Sequence, residues 1–439
     1  MSAVISNKRA GLGLSLALLA GGLLIALAVS ALTASSASAA PACTGENITG
    51  RGASFQKVAQ QNVWNPAFNT SVCGGKGTEP KVSYESTGSG GCISAWNFDG
   101  ISGTINKAVA FCATDDAPTA AQIANAKSVA GGAQVAVIPV TQSAIAMIAN
   151  PPAGCNAEFL TNSNLSGVME GRIRNWNKIE TAEEEVSGAC NFPISRVVRK
   201  DGSGTTFQFK NYLFKLNSGT LRCSEGLVEV GKKATWQQLE PIAAEGKPNT
   251  LWPESCPEQE MSPLLRGAAN GNGAVVTKVN ETPGAIAYTG LADAKAGVKG
   301  NTRILALQNN GQKGVAEATF GEPGVGSVAN CSKAVYQVPK LNGSLDFDWS
   351  QVFSAKPAIG GEAYPLCTLT YVIAWNDYSA VGYTEGVATT VRDYLTEYLV
   401  QPSGQAAINS NNYSSLPGSG NPLYDILGAA QKAASNIAY

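Results

Sequence analysis

The chain of 439 residues contains no histidine. That absence removes together the usual general base of serine and cysteine hydrolases and the commonest zinc ligand. The ten cysteines stand at least 19 residues apart, so none forms the close Cys-x-x-Cys pairs that structural metal sites favour. Basic residues number 31 against 32 acidic ones and form no run, which argues against a nucleic-acid surface. Beyond residue 39 no apolar stretch is long enough to span a bilayer. A site for an anion must therefore be built locally, because bulk charge supplies none.

What the chain does have begins with an export-like leader over residues 1–39: Lys8 and Arg9, an apolar run from Gly11 to Leu32, and Ala37-Ser-Ala39 as a small-residue cleavage box. The apolar run of 22 residues is also long enough for an uncleaved anchor. Either way the expected location is outside the cytoplasmic membrane, in the periplasm, on the outer face of the envelope, or secreted. Loss of the leader leaves 29 basic against 32 acidic residues. In an oxidising compartment the even number of cysteines fits five disulfides, with Cys155–Cys190 and Cys223–Cys256 as local pairings and buried free thiols as the alternative. The remaining length of about 400 residues exceeds what one core usually holds, so two lobes are expected.

The most informative stretch is Arg199-Lys-Asp-Gly-Ser-Gly-Thr-Thr-Phe207. Before it, Phe192 to Val198 reads as a buried strand; after it, Phe209, Tyr212 and Leu213 recur at helical spacing, so a helix is predicted from near Ser203. Backbone N–H groups in a helix's first turn lack intrahelical partners and lie at the positive end of the dipole, so they point donors at an anion. The glycines admit a close approach, the hydroxyls add neutral donors, and Arg199 adds a charged fork. Taken alone, the segment is better read as an ordinary Gly-Ser turn capping a helix with Arg199 in water.

Three more junctions of this kind precede it. Ile48 to Phe55 carries Gly50, Gly52 and Ser54, and its helical stripe is expected to stop at Asn65-Pro66. Lys81 to Glu85 alternates like a strand and leads into Ser86-Thr-Gly-Ser-Gly-Gly91, with Ser89 expected as the cap of a helix through Ile93 and Trp96. Ala108 to Cys112 reads as a buried strand before Thr114-Asp-Asp-Ala-Pro118, after which Thr119 and Gln122 have capping-box spacing. A carboxylate at an anion site is an acceptor only, so it suits an anion that still carries a proton, as phosphate does and sulfate does not. Helix capping is the alternative for both Asp115 and Asp116, and for Asp115 it is the expectation.

In this order the four junctions resemble the phosphate-binding proteins of bacterial phosphate ABC transporters, a family of periplasmic-type solute-binding proteins. The likeness extends to Gly171-Arg-Ile with Asn175-Trp-Asn177, to Pro283-Gly-Ala-Ile-Ala-Tyr288, and to Asn412-Tyr-Ser-Ser-Leu-Pro417. The resemblance implies that Ser54, Phe55 and Ser89 donate to phosphate, that Asp116 reads its proton, and that Arg199, Ser203, Gly204 and Thr205 close over it from a second lobe. Asp201 would orient Arg199 if the turn folds back. No metal or cofactor is implied. The chain departs from the family pattern at Gln56, where the family usually has Pro, at Arg51 inside the first glycine turn, and over Thr235 to Leu264. Arg51 is left with three readings: contact with the anion, a pair with Asp115, or solvation.

The implied fold is α/β, a two-lobed periplasmic-binding-protein-like (type II) architecture with the ligand cleft between lobes and two crossing hinge strands. Residues 40–139 would open the first lobe, 140–363 form the second, and 364–439 return to the first. Val135 to Val140 reads as the outward crossing and Tyr364 to Ala374 as the return, while Val391, Tyr394, Leu395, Tyr398 and Leu399 form an apolar helical stripe. The expected activity is binding without chemistry, by a monomer that closes on phosphate and delivers it to an ABC permease. The alternatives are a secreted phosphatase using the same cradle, and a surface or matrix protein reusing the fold.

Overall fold

The computed structural model describes residues 40–439 apart from 76, 180–187, 217–220, 223–232, 235–249, 253–266, 311–319, 322, 324–330, 332–335, 338–340, 342–343, 346, 355–363 and 421–423. The expected leader, the Cys223–Cys256 pairing and most of Thr235 to Leu264 lie outside the described residues. Pro41–Tyr439 forms one compact unit.

One sheet organises that unit. Its strands are β1 (Ile48–Gly52), β2 (Val82–Ser86), β3 (Phe111–Thr114), β4 (Val135–Asn150), β5 (Phe159–Leu160), β6 (Ser195–Arg199), β7 (Ala268–Ala269), β8 (Ala285–Gly290), β9 (Arg303–Gln308), β10 (Phe320–Gly321) and β11 (Cys367–Trp375). The spatial order is β2-β1-β3-β11-β4-β8-β6-β7, with β9 also on β4 and linking β5 and β10. Strands β1, β2 and β3 run parallel, as do β6, β7 and β8, so each end of the sheet is a parallel α/β layer. Between them β4 pairs antiparallel with β11 through its first half and with β8 and β9 through its second.

The two crossings are thus where the sequence places them, but the first is far longer than the expected Val135 to Val140. All 16 residues of β4 are buried, because both faces are covered along its whole length. Pro139 sits inside this central strand. Opposite Tyr371 stands Pro139, and opposite Thr370 stands Thr141, so Val140 is an extra residue in a bulge. Proline donates no ladder hydrogen bond, and a bulge beside it is how a central strand accommodates one.

The helices that matter for the cleft are α1 (Ser89–Ala95), α2 (Ala120–Lys127), α3 (Asn162–Met169), α4 (Gly204–Leu216), α5 (Asn272–Asn280) and α6 (Leu291–Gly297). The predicted Thr119–Gln122 capping box is present at α2. The stop expected at Asn65-Pro66 is not. A helical run continues from Ser54 to Val72 through π-helical turns over Ala59–Trp64 and Phe68–Val72, with Pro66 at the start of a short α-helical turn between them. Proline blocks a regular α-helix by losing a donor and crowding the preceding turn; the wider turns on either side carry the chain past it.

Among the described cysteines, Cys43–Cys73, Cys155–Cys190 and Cys331–Cys367 are disulfides, the second as predicted. Cys92 and Cys112 are buried free thiols, the alternative to a full set of five disulfides. The described grouping with metal-type ligands, Cys43, Cys73 and Asp393, is that first disulfide with Asp393 accepting from the Cys43 N–H. No helix among the described residues is long and apolar enough to cross a membrane.

Candidate functional site

The turns that leave β1, β2, β3, β6 and β7 at their carboxyl ends converge on one cleft, the position where open α/β sheets bind ligands. Ser54, Phe55, Ser89 and Asp115 come from the β1–β3 end of the sheet, and Arg199, Ser203, Gly204, Thr205 and Asn272 from the β6–β8 end. All of these side chains are buried, so water is excluded from around them.

Gly204 marks the closest approach. A Cβ there would lie 2.8 Å from the backbone nitrogens of Asp115 and Asp116 and from Ser89 Oγ, so only glycine lets the first turn of α4 meet the opposite turns. Its N–H donates to Ser89 Oγ at 3.0 Å, and the Asp115 N–H reaches the same oxygen at 3.4 Å. Ser89 is therefore the first residue of α1 rather than its cap. Gly88 holds the cap position with φ +81°, which leaves the Ser89 hydroxyl facing the cleft instead of tied to its own helix.

Ser203 takes the role of cap for α4, accepting the Thr206 N–H at 3.1 Å. Its own N–H donates to the Thr250 carbonyl. Ser54 opens the helical run after β1, and its Oγ accepts the Asn272 N–H at 3.2 Å from the first turn of α5. The Phe55 ring is buried and meets Tyr413 edge-on at 6.4 Å, while the Tyr413 hydroxyl donates to the Phe55 carbonyl.

Arg199, with 2% of its surface exposed, is the cation of the site. Its Nε donates to Asp201 Oδ1 at 2.7 Å, its Nη2 forms an ion pair with Asp201 Oδ2, and its Nη1 donates to Asn272 Oδ1 at 2.9 Å. The turn does fold back, as the pairing with Asp201 requires, and Asp201 also accepts the Gly271 N–H. An arginine held on two sides is pre-organised, so it loses little rotamer freedom on meeting an anion.

Asp115 sets a buried carboxylate against hydroxyls of two distant segments. Its Oδ2 accepts the Thr205 hydroxyl at 3.0 Å and its Oδ1 accepts the Thr370 hydroxyl at 2.7 Å. The expected helix cap at Asp115 is not made, because Thr119 caps α2 four residues later. Burial pushes the Asp115 carboxyl up to about 6, against hydrogen bonds from Thr370 and Thr205 and the charge of Arg199, which pull it down. Asp116 is also buried; its N–H donates to Thr114 Oγ1 and its carbonyl accepts the Thr114 hydroxyl.

The departures from the family pattern find places here. Gln56 is buried and donates to Thr370 Oγ1 at 2.7 Å and to the Tyr371 carbonyl at 2.8 Å, so it orients the hydroxyl that serves Asp115. Arg51 lies across from Glu85 in the β1–β2 register and pairs with it, a fourth outcome beside the three readings left open. Asn272 and Thr370 are the residues that sequence reasoning missed, and Gln56 was noted without a role. Gly271-Asn272-Gly273 before the Val275, Val276, Val279 stripe is a further glycine turn of the same type, and that signal was readable. Behind it Asn272 Nδ2 and Asp293 Oδ2 are buried without hydrogen-bond partners, and burial pushes the Asp293 carboxyl up to about 7.

A family profile described as the PBP superfamily domain matches residues 37–399. The phosphate-binding protein PstS of Methanocaldococcus jannaschii is 25% identical over 283 residues, covering 63% of this chain and 62% of that protein's own length. A phosphate-binding protein from an unknown prokaryotic organism is 28% identical over 326 residues, 71% of this chain and 77% of the relative. Among solved structures, a high-affinity periplasmic phosphate-binding protein bound with phosphate superposes with a TM-score of 0.58 at 21% identity, covering 89% of this chain and 92% of that one. That likeness is one of fold, the two-lobed α/β architecture with its crossing strands. On the extent of the profile match, the chain belongs to the PBP superfamily.

Proposed function

We propose that the protein is an exported solute-binding protein that captures inorganic phosphate between its two lobes and hands it to an ABC permease. The observation that carries the reading is the pairing, in one dry cleft, of a buried arginine fixed by Asp201 and Asn272 with a buried carboxylate reached by the Thr205 hydroxyl. The names of the relatives, all phosphate-binding proteins, point the same way.

In this reading the first lobe is 40–139 with 364–439, the second is 140–363, and β4 and β11 are the hinge. Ser54, Phe55 and Ser89 on one lobe and Ser203, Gly204 and Thr205 on the other supply neutral donors. Arg199 supplies the charge. Fixed donors from several helix starts offset the dehydration of the anion, and closure links the lobes to the ligand. Ser89 Oγ and Asp115 hold donors of the opposite lobe in the contacts described above; the anion would exchange those partners for its own oxygens. Asp115 takes the part of the acceptor that reads the phosphate proton, with Asp116 beside it as the residue the sequence favoured. The protein acts as a monomer and breaks no bond.

Calorimetry of the protein against phosphate, sulfate and arsenate at two pH values tests the reading. Phosphate and arsenate should bind and sulfate should not. Absence of heat with phosphate, or equal affinity for sulfate, would remove it.

A further inference from the structure

Two buried free thiols stand on the same helix and strand as the approaches to Ser89 and Asp115. Cys92 is on α1, three residues after Ser89, and Cys112 is on β3, three residues before Asp115. Both are fully buried, and the Cys112 thiol donates to the Cys92 carbonyl at 3.4 Å. The helix packs on β1 and β3, and across that layer the Cys112 and Cys92 side chains are within hydrogen-bond contact. The six other described cysteines are joined in three disulfides, which marks the chain as one that folds under oxidising conditions.

We propose that Cys92 and Cys112 close into a further disulfide that staples the helix of Ser89 to the strand of Asp115. The bond forms by exchange with an external disulfide donor. One thiolate attacks a donor sulfur to give a mixed disulfide, the second displaces the remaining donor sulfur, and the two protons end on the two thiols of the reduced donor. The reaction belongs to folding, before the layer closes. Once buried, the Cys112 thiol is held well above its usual range by desolvation and by its contact with Cys92, and a protonated thiol is a poor nucleophile.

The site gives the staple a consequence. Ser89 Oγ already accepts the Asp115 N–H, and both residues meet α4 across the cleft. A covalent link fixes their spacing from below, so one wall of the cradle becomes a single rigid piece.

Trypsin reads the bond directly, because Lys81, Lys107 and Lys127 place Cys92 and Cys112 on separate peptides. The full chain is folded in a mixture of reduced and oxidised glutathione, unfolded in alkylating agent without reductant, and digested. The expected product is one linked species joining 82–107 to 108–127, resolved into two by reduction. Full alkylation of both cysteines in material whose Cys155–Cys190 bond is closed would overturn the proposal. A second arm rests on the phosphate reading: reductant should weaken phosphate binding of the wild type several-fold more than that of the C92S/C112S double variant. Equal effects on the two proteins would overturn the link to the cradle. The peptide map depends on no ligand, so it separates a failed staple from a failed function.

Discussion

The Thr205 hydroxyl donates to the Asp115 carboxylate across the cleft at 3.0 Å, joining the first turn of α4 to the turn after β3. The contact pairs a neutral donor with a group that has lost its water, so the carboxylate is held by hydroxyls on both oxygens. An acceptor so placed discriminates by repulsion as much as by attraction.

Replacing Asp115 by Asn removes that repulsion. Asp115→Asn should erode discrimination against sulfate by about 1–3 kcal/mol, whereas Asp116→Asn should leave it nearly unchanged. Competition calorimetry with both anions checks the pair of variants. The reverse outcome would return the acceptor role to Asp116.

Arg199 is the buried charge of the site. Arg199→Ala should weaken phosphate binding by roughly 2–5 kcal/mol, since it deletes the cation and leaves Asp201 unpaired. Lysine should rescue little, because a point charge cannot reach both Asp201 and Asn272 in the arginine's geometry. Titration of the two variants with phosphate distinguishes these effects.

Gln56 stands where the family pattern has proline. Gln56→Ala should cost about 1–3 kcal/mol of stability by deleting its two buried donations, to Thr370 Oγ1 and to the Tyr371 carbonyl. Thermal unfolding measures it. Because Thr370 then loses its orientation, the same variant should also raise the Asp115 titration, visible as a shift in the pH profile of phosphate binding.

The Asp115 carboxyl titrates near 6 in the folded protein against an ordinary value of 3.8. The folded state therefore binds the proton more tightly than the unfolded state does. Its contribution to stability is fully present below about 3.8 and is lost as pH rises through about 6. Asp293, pushed up to about 7, acts in the same sense over a slightly higher window. In urea unfolding without phosphate, the stability of wild type relative to Asp115→Asn should fall between pH 4 and pH 7, by on the order of 2–3 kcal/mol. A flat difference would mean that Asp115 is not desolvated.

The architecture was legible in the sequence to the extent that local patterns carry it. Glycine and hydroxyl turns at strand ends, the Thr119–Gln122 box and the crossing segments are local signals, and each stands in the structure. What failed was whatever tertiary contact decides. Pro66 ends a helix in isolation but not one that widens into π turns. Ser89 has the chemistry of a cap, yet Gly88 takes the position because the hydroxyl is needed across the cleft. The hydroxyls that reach Asp115 come from Thr205 and Thr370, 90 and 255 residues further along the chain, so no local pattern announces them. Thr370 lies in mid-strand, where nothing in the sequence distinguishes it from a packing residue.

The place of β11 has a bearing on how the protein is made. Residues 367–375 fill the gap between β3 and β4, strands completed more than two hundred residues earlier in the chain. Until that late segment arrives, β3 and the first half of β4 each lack a neighbour, and two buried strand edges wait unpaired. Such edges invite mispairing, and pairings of this sequence separation form slowly. The first third of the chain is thus stored incomplete during synthesis, and the sheet is sealed only when its final strand is delivered.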